Sequence, residues 1–277
     1  MTLSAIETMK VNSSEFMHKL EQIECSYWMK YYRGDAVFST YASVIGDGVM
    51  CAIPEVDILA MNRVIGVGIK YPLEKAMIAH IIKFYQIAGS PRFFIQLPPT
   101  ILDPETTRLL ENSGFRCHNT WTKLYRSVEP VTVADHHDLE IDRIDSSMAD
   151  LYGQLLFMSF DWEDSRIASW LASTVGTEGY QHYIVSKGGN AIAAGALYVE
   201  GEMASMAFAG TLESFRGMGA QKLLLETRLN DAHKLGAKII TAETATQTKD
   251  HEVVSYKNMV KAGFETAYHR QNWLFNF

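Results

Sequence analysis

The chain has 277 residues, of which 47% are hydrophobic and 21% charged, with a formal net charge of −7. That balance describes a soluble globular protein of about two ordinary domains. It argues against nucleic acid as a partner, which needs a basic footprint, and no apolar run approaches the roughly 18–20 residues of a membrane span.

Three cysteines, Cys25, Cys51 and Cys117, show no CxxC spacing, which excludes that type of metal site and leads to the expectation of buried free thiols. Residues Met1 to Glu7 lack a basic segment followed by an apolar one, so the cytoplasm is the expected compartment. Residues 1–130 hold 13 basic and 13 acidic side chains, whereas residues 131–277 hold 12 and 19. The acidic second half would attract cationic small molecules such as amines.

In chain order, the pattern predicts a helix over Ala76–Ile87 closed by Ala88-Gly89, a strand at Phe93–Gln96, and a helical end at Leu109–Phe115. A linker is expected over Val128–Asp138, where Pro130 and Asp135-His136-His137-Asp138 break the apolar pattern. The histidine pair reads as exposed linker and not as a metal site. Leu139–Ile144 alternates like a half-buried strand, and Asp145-Ser146-Ser147 starts a helix. A second short helix is expected over about Ser165–Val175. Strands follow at Tyr180–Ser186 and Ile192–Val199, joined by Lys187-Gly188-Gly189-Asn190, then at Met203–Gly210. Leu224, Leu225, Leu229, Ala232 and Leu235 form a helical stripe ending at Gly236. Lys238–Ala242 reads as a strand, Val253–Ala262 as a helix, and Thr266–Phe277 as terminal strands. The order is β α α β β β α β α β, an α/β domain around a mixed sheet.

The first half echoes the second. Gly89 and Gly236 lie 147 residues apart, Gly114 and Gly263 lie 149 apart, and each half ends in aromatic strands carrying a tryptophan, Trp121 and Trp273. The implied domains are 1–130 and 139–277. Between the Met203–Gly210 strand and its helix stands Arg216-Gly217-Met218-Gly219-Ala220-Gln221. Free N–H groups at a helix start, approached through glycines and flanked by an arginine, suit a phosphate. The corresponding stretch of the first half, about Ile69 to Glu74, carries neither the glycine pair nor the arginine, and Pro72 and Glu74 would spoil such a cradle.

The second half resembles the GNAT superfamily, the GCN5-related N-acetyltransferases. Its signature, Arg/Gln-x-x-Gly-x-Gly/Ala, matches at Arg216 and Gly219, with Gln221 in the final small position. The second landmark is Ser255-Tyr256-Lys257-Asn258-Met259-Val260-Lys261-Ala262-Gly263-Phe264. The first half resembles a degenerate copy, giving two tandem GNAT-like domains. The resemblance implies acetyl-CoA as acyl donor. Ala209, Gly210 and Thr211 would hold its pantetheine arm, and Met218 to Gln221, with Arg216 and Gly217 beside them, its pyrophosphate. A gap between the strands ending near Thr211 and beginning near Lys238 would admit the thioester.

The implied reaction is direct attack of a small-molecule primary amine on that thioester. Family members often carry a tyrosine acid where this chain has Met259. Tyr256 or Asn258 could approach the sulfur or bind the donor instead, and Glu243 could serve as base. Asp161, Trp162 and Glu163 would form the amine-binding wall. A non-catalytic acyl-CoA sensor, and aminoacyl transfer of the paired-GNAT type, are the alternatives.

Overall fold

The computed structural model describes residues 13–33, 37–134, 136, 138–250 and 252–277. Met1–Glu7, Asp135 and His137, which carry expectations above, lie outside the described residues. Helix α1 (Ser14–Tyr31) leads into strands β1 (Tyr41–Ile45), β2 (Gly48–Ala52) and β3 (Arg63–Ile65), then α2 (Lys75–Ala88), β4 (Arg92–Leu97), α3 (Pro104–Asn112) and β5 (Arg116–Ser127). The second half runs β6 (Leu139–Ile144), α4 (Ala149–Ser159), α5 (Arg166–Ala172), β7 (Tyr180–Lys187), β8 (Asn190–Glu200) and β9 (Met203–Thr211). It ends with α6 (Ala220–Lys234), β10 (Ile239–Ala245), α7 (Val254–Lys261) and β11 (Glu265–Asn276). This is the expected order for the second half, except that the terminal aromatic segment is one strand. Among the described residues, no helix is long and apolar enough to cross a membrane.

All eleven strands form one mixed sheet in the order β1-β2-β3-β4-β11-β5-β10-β9-β8-β7-β6. The run β1 to β5, with its two helices, repeats the run β7 to β11. Each run has surrendered its last strand to the other. β5 lies between β10 and β11, pairing Ile239 with Ser127 and Ala245 with Trp121, while β11 pairs with β4 from Gln271–Leu97 to Asn276–Arg92. The two halves are therefore interleaved through main-chain hydrogen bonds at the middle of the sheet.

Both faces are covered, and the period of two along each strand sorts the side chains. Val49 and Cys51 join the core beneath α1, α4 and α5, while Met50 and Ala52 join the core beneath α2. Likewise Ala194, Ala196 and Tyr198 face the α1 side, and Ala193 and Leu197 face α6. The α6 stripe is buried as expected at Leu224, Leu225, Leu229 and Ala232, but Leu235, at the helix end, is 45% exposed. Cys25 and Cys51 are buried free thiols, whereas Cys117 is exposed on β5, contrary to expectation.

Helix α1 begins at Ser13, whose hydroxyl accepts from the Phe16 N–H at 3.2 Å. Its apolar face is interrupted by Glu21 and Glu24, both buried. Glu24 pairs with Arg63 (3.0 Å), Arg270 (2.9 Å) and Lys123, and Glu21 with Arg270 (2.8 Å). Arg63 and Arg270 continue to Glu243 on β10, Arg63 at 2.9 Å. Three carboxylates thus meet three cations contributed by α1, β3, β5, β10 and β11. Burial pushes the Glu24 carboxyl up, but Arg270, Lys123 and Arg63 more than reverse it and hold it far below the usual carboxylate range. Removing one member leaves an uncompensated buried charge. Glu24→Gln is therefore expected to lower unfolding free energy by about 3–5 kcal/mol in urea denaturation; a loss under about 1 kcal/mol would show that the network is dispensable.

Candidate functional site

Strands β9 and β10 run parallel but pair over only three positions, from Met203–Ile239 to Ser205–Thr241. Immediately after, β9 bulges: Leu197 still faces Met206 and Gly195 faces Ala209, so Ala207 and Phe208 together oppose Ala196. A bulge bends its strand and ends pairing. Beyond it, Ala209, Gly210 and Thr211 remain paired with β8 on one edge, while the register with β10 has stopped. β10 meanwhile stays paired with β5. The sheet is consequently split, and a cavity of about 380 Å3 occupies the split. The gap expected between the two strand ends is present.

The glycine loop stands at the end of β9. Gly217 and Gly219 have φ of 80° and 93°, a left-handed backbone that side chains rarely adopt. Gly219 is the N-cap of α6, and the first intrahelical bond is Leu223 N–H to the Gly219 carbonyl at 3.0 Å. The amides of Ala220, Gln221 and Lys222 thus have no acceptor within the helix. Arg216 Nη2 donates to the Ser159 carbonyl at the end of α4 (3.1 Å), and Gln221 Nε2 donates to Thr211 Oγ1 (2.9 Å). These bonds fix the loop against β9 and α4. Met218 is 45% exposed at its tip.

The linker histidine departs from expectation. His136 is not exposed: its side chain is 8% accessible, and its Nε2 lies 2.9 Å from Glu226 on α6. Its ring lies over Gly219, so closely that a Cβ there would meet Nδ1 at 3.2 Å.

The counterpart loop of the first half also differs from expectation. A left-handed glycine pair does exist, Gly66 (φ 76°) and Gly68 (φ 88°), just before the stretch where it was sought. The Asp47 carboxylate fills that nest, accepting from the amides of Gly68 (3.1 Å), Ile69 (3.0 Å) and Lys70 (2.7 Å). The first-half amides are satisfied by Asp47, whereas in the second half those of Ala220 to Lys222 have no intrahelical acceptor and the His136 ring lies over Gly219.

The cavity gathers some of the expected residues and leaves others outside. Glu243 and Trp162 line it, as do Ala209 and Gln221. Both Glu243 oxygens are engaged: Oε1 accepts from Arg63, and Oε2 from Arg270 and from Gln96 (3.2 Å). On α7, Ser255 and Met259 share the cavity-facing side. The Tyr256 hydroxyl instead lies 3.3 Å from Thr266 Oγ1, away from the lining. Asn258 borders a separate cavity of about 710 Å3 between α6 and α7, beside Arg126, Lys222 and Lys261. Asp161 and Glu163 are exposed and do not reach the lining.

Several lining residues carry no short-range signal. Trp28, Arg63 and Trp121 come from the first half, brought in by α1, β3 and the exchanged β5. Arg228 had one: it stands four residues after Leu224 on the apolar stripe of α6. It is fully buried, donating from Nε to the Leu224 carbonyl and from Nη1 to the Ala196 carbonyl (3.0 Å each). Its Nη2 has no partner among the described residues, and burial lowers its pKa to about 10, so it stays charged at neutral pH.

No protein-family model matches the chain, and no curated protein is significantly similar to it. Solved structures are similar in fold. A GCN5-related N-acetyltransferase from Kribbella flavida has a TM-score of 0.61 at 13% identity, covering 92% of this chain and 95% of its own. A tandem GNAT protein from the clavulanic acid biosynthesis pathway has a TM-score of 0.59 at 15% identity, covering 97% of both chains. The fold is that of the tandem GCN5-related N-acetyltransferases. A GCN5-related N-acetyltransferase from Sphaerobacter thermophilus also aligns, with a TM-score of 0.61 at 11% identity over 83% of this chain and 80% of its own.

Within this tandem GNAT fold, Gly219 caps α6 directly, whereas the Asp47-filled nest lies ahead of Glu74, the N-cap of α2. Asp47→Ala is expected to destabilise the protein by about 1.5–3 kcal/mol, because three partly exposed amides lose a charged acceptor. Sulfate should restore part of that loss in thermal melts of the variant beyond any effect on wild type. Equal stability of the two proteins without sulfate would contradict that role of Asp47.

Proposed function

We propose that this protein transfers an acetyl group from acetyl-CoA to a primary amine of a small molecule. The observation that carries the reading is the split between β9 and β10 together with the glycine-capped start of α6, which has no side-chain cap bond, just after the same strand. A donor with a pyrophosphate and a long thin arm fits both parts at once. Met218 to Gln221 would hold the pyrophosphate through their amides, and Arg126, Lys222 and Lys261 supply positive charge in the cavity between α6 and α7. The free edge of Ala209, Gly210 and Thr211 offers main-chain groups to the arm. When bound, the donor supplies an activated acyl group and a thiol leaving group.

The protein's own groups then set the electrostatics. Glu243 is pinned by two arginines, which favours a positioning role over proton removal. Met259 contributes no proton, and the Ser255 hydroxyl is the polar group that α7 adds to the lining. Arg228 offers a fixed cation with an unused donor, and such a group is worth most in a water-poor site where negative charge develops. It is the candidate for stabilising that charge in place of the missing tyrosine.

Binding of an acyl-CoA without turnover is the second reading, favoured by Met259 and by the engagement of Glu243. Aminoacyl transfer is disfavoured by the acidic second half and by the glycine-capped start of α6. Thermal shift with CoA, followed by thiol release from acetyl-CoA over an amine panel, separates these readings. Stabilisation with thiol release supports transfer, stabilisation alone supports the second reading, and absence of both contradicts the proposal. Gly219→Glu should weaken CoA binding at least about 100-fold by placing a carboxylate at the cradle. Gly201→Glu is the control for backbone strain, since Gly201 also has positive φ (58°) but lies in a distant turn with open space around it. Equal affinities for the two variants would mean that the loop is only a turn.

A further inference from the structure

The acceptor side of the split is walled by rings. Trp28 comes from α1, Trp121 from β5, Phe160 and Trp162 from the segment after α4, and Phe208 from the β9 bulge. Phe160 and Trp162 stack with centroids 4.6 Å apart and planes 17° apart. Phe208 stands edge-on to Trp28 (5.6 Å), to Phe160 (6.1 Å) and to Trp162 (6.3 Å). The stack has a backbone cause: Asp161 between the two rings has φ of 53°, a left-handed conformation. Aspartate tolerates that conformation better than most residues. The turn brings Phe160 and Trp162 onto one side and leaves the Asp161 carboxylate exposed. Phe160 is 38% exposed, so the stack forms an apolar rim and not a piece of core.

Charge in the lining points the same way. Glu243 is the one carboxylate in the lining, and it is already shared by Arg63 and Arg270. Arg63 also lies over the Trp28 ring at 4.3 Å, and Arg228 adds a second lining cation. Glu24 and Glu243 together offset Arg63, so Arg228 is the lining cation without a carboxylate partner among the described residues, and no disengaged carboxylate faces a polycationic acceptor. A monoamine sheds its proton more readily there, which is the form that attacks a thioester.

We infer that the acceptor is an apolar primary monoamine carrying one aromatic ring, an arylalkylamine, with the ring held by Phe160, Trp162 and Phe208. This rests on the acetyl-transfer reading and narrows its substrate. It replaces the expectation that Asp161 and Glu163 capture the amine by charge.

The test compares kcat/KM for thiol release with 2-phenylethylamine, n-butylamine and spermidine at saturating acetyl-CoA. Burial of a ring predicts that 2-phenylethylamine exceeds n-butylamine by about 10- to 100-fold, with spermidine lowest. Trp162→Ala should cut the preference for 2-phenylethylamine over n-butylamine at least about tenfold while the KM for acetyl-CoA stays within about twofold. A preference for spermidine, or equal use of the two monoamines, overturns the inference. If CoA binds but no amine supports thiol release, the transfer reading fails by itself. Calorimetry of the CoA-bound protein then decides the chamber: 2-phenylethylamine binding more tightly than n-butylamine sustains it, and no difference overturns it.

Discussion

Five buried charges and the partly buried Glu243, at the middle of the sheet, fix where everything else can go. Glu21 and Glu24 descend from α1 onto Arg63, Lys123 and Arg270, and the two arginines hold Glu243 in turn. Dehydrating ions is costly, and the arrangement is tolerable because positive and negative charges balance and approach closely. The five elements that contribute them include both exchanged strands, β5 and β11, so the network forms only when the halves have interleaved. It also sets α1 across the split, which is why Tyr27 and Trp28 become walls of a cavity built mainly from the second half.

The split itself follows from a local conflict in pairing. β10 is committed to β5 along its whole length, whereas β9 bulges at Ala207-Phe208 and turns away after three shared positions. In the first half, β3 and β4 likewise pair only from Arg63–Phe94 to Val64–Ile95. There the adjoining nest is closed by Asp47. One architecture, used twice, therefore gives a nest closed by a carboxylate in the first half and a glycine-capped helix start in the second.

The second half was legible because its strands and helices are strongly periodic and its turns are marked by glycines. The order β6 to β11 could be read from those signals alone. Helix α1 could not, since Glu21 and Glu24 occupy core positions and erase the apolar period. The loop from Arg216 to Gln221 was legible because its chemistry is local. The chamber was not, because Trp28, Arg63, Trp121 and Phe208 are distant in sequence and are brought together by α1, β3, the exchanged β5 and the β9 bulge. The Tyr256 hydroxyl is conspicuous in the sequence, but one residue is about 100° of helix, and the cavity faces Ser255 and Met259 instead. Asp161 and Glu163 are conspicuous for their charge, whereas Asp161 serves as the turn that stacks its neighbours.

A crystal structure of the protein with CoA tests the central claim most directly. The pyrophosphate is expected on the amides of Met218 to Gln221 and the thiol sulfur inside the split, between Phe208 and Met259. Density for the pyrophosphate elsewhere, or a sulfur outside the gap between β9 and β10, would contradict it.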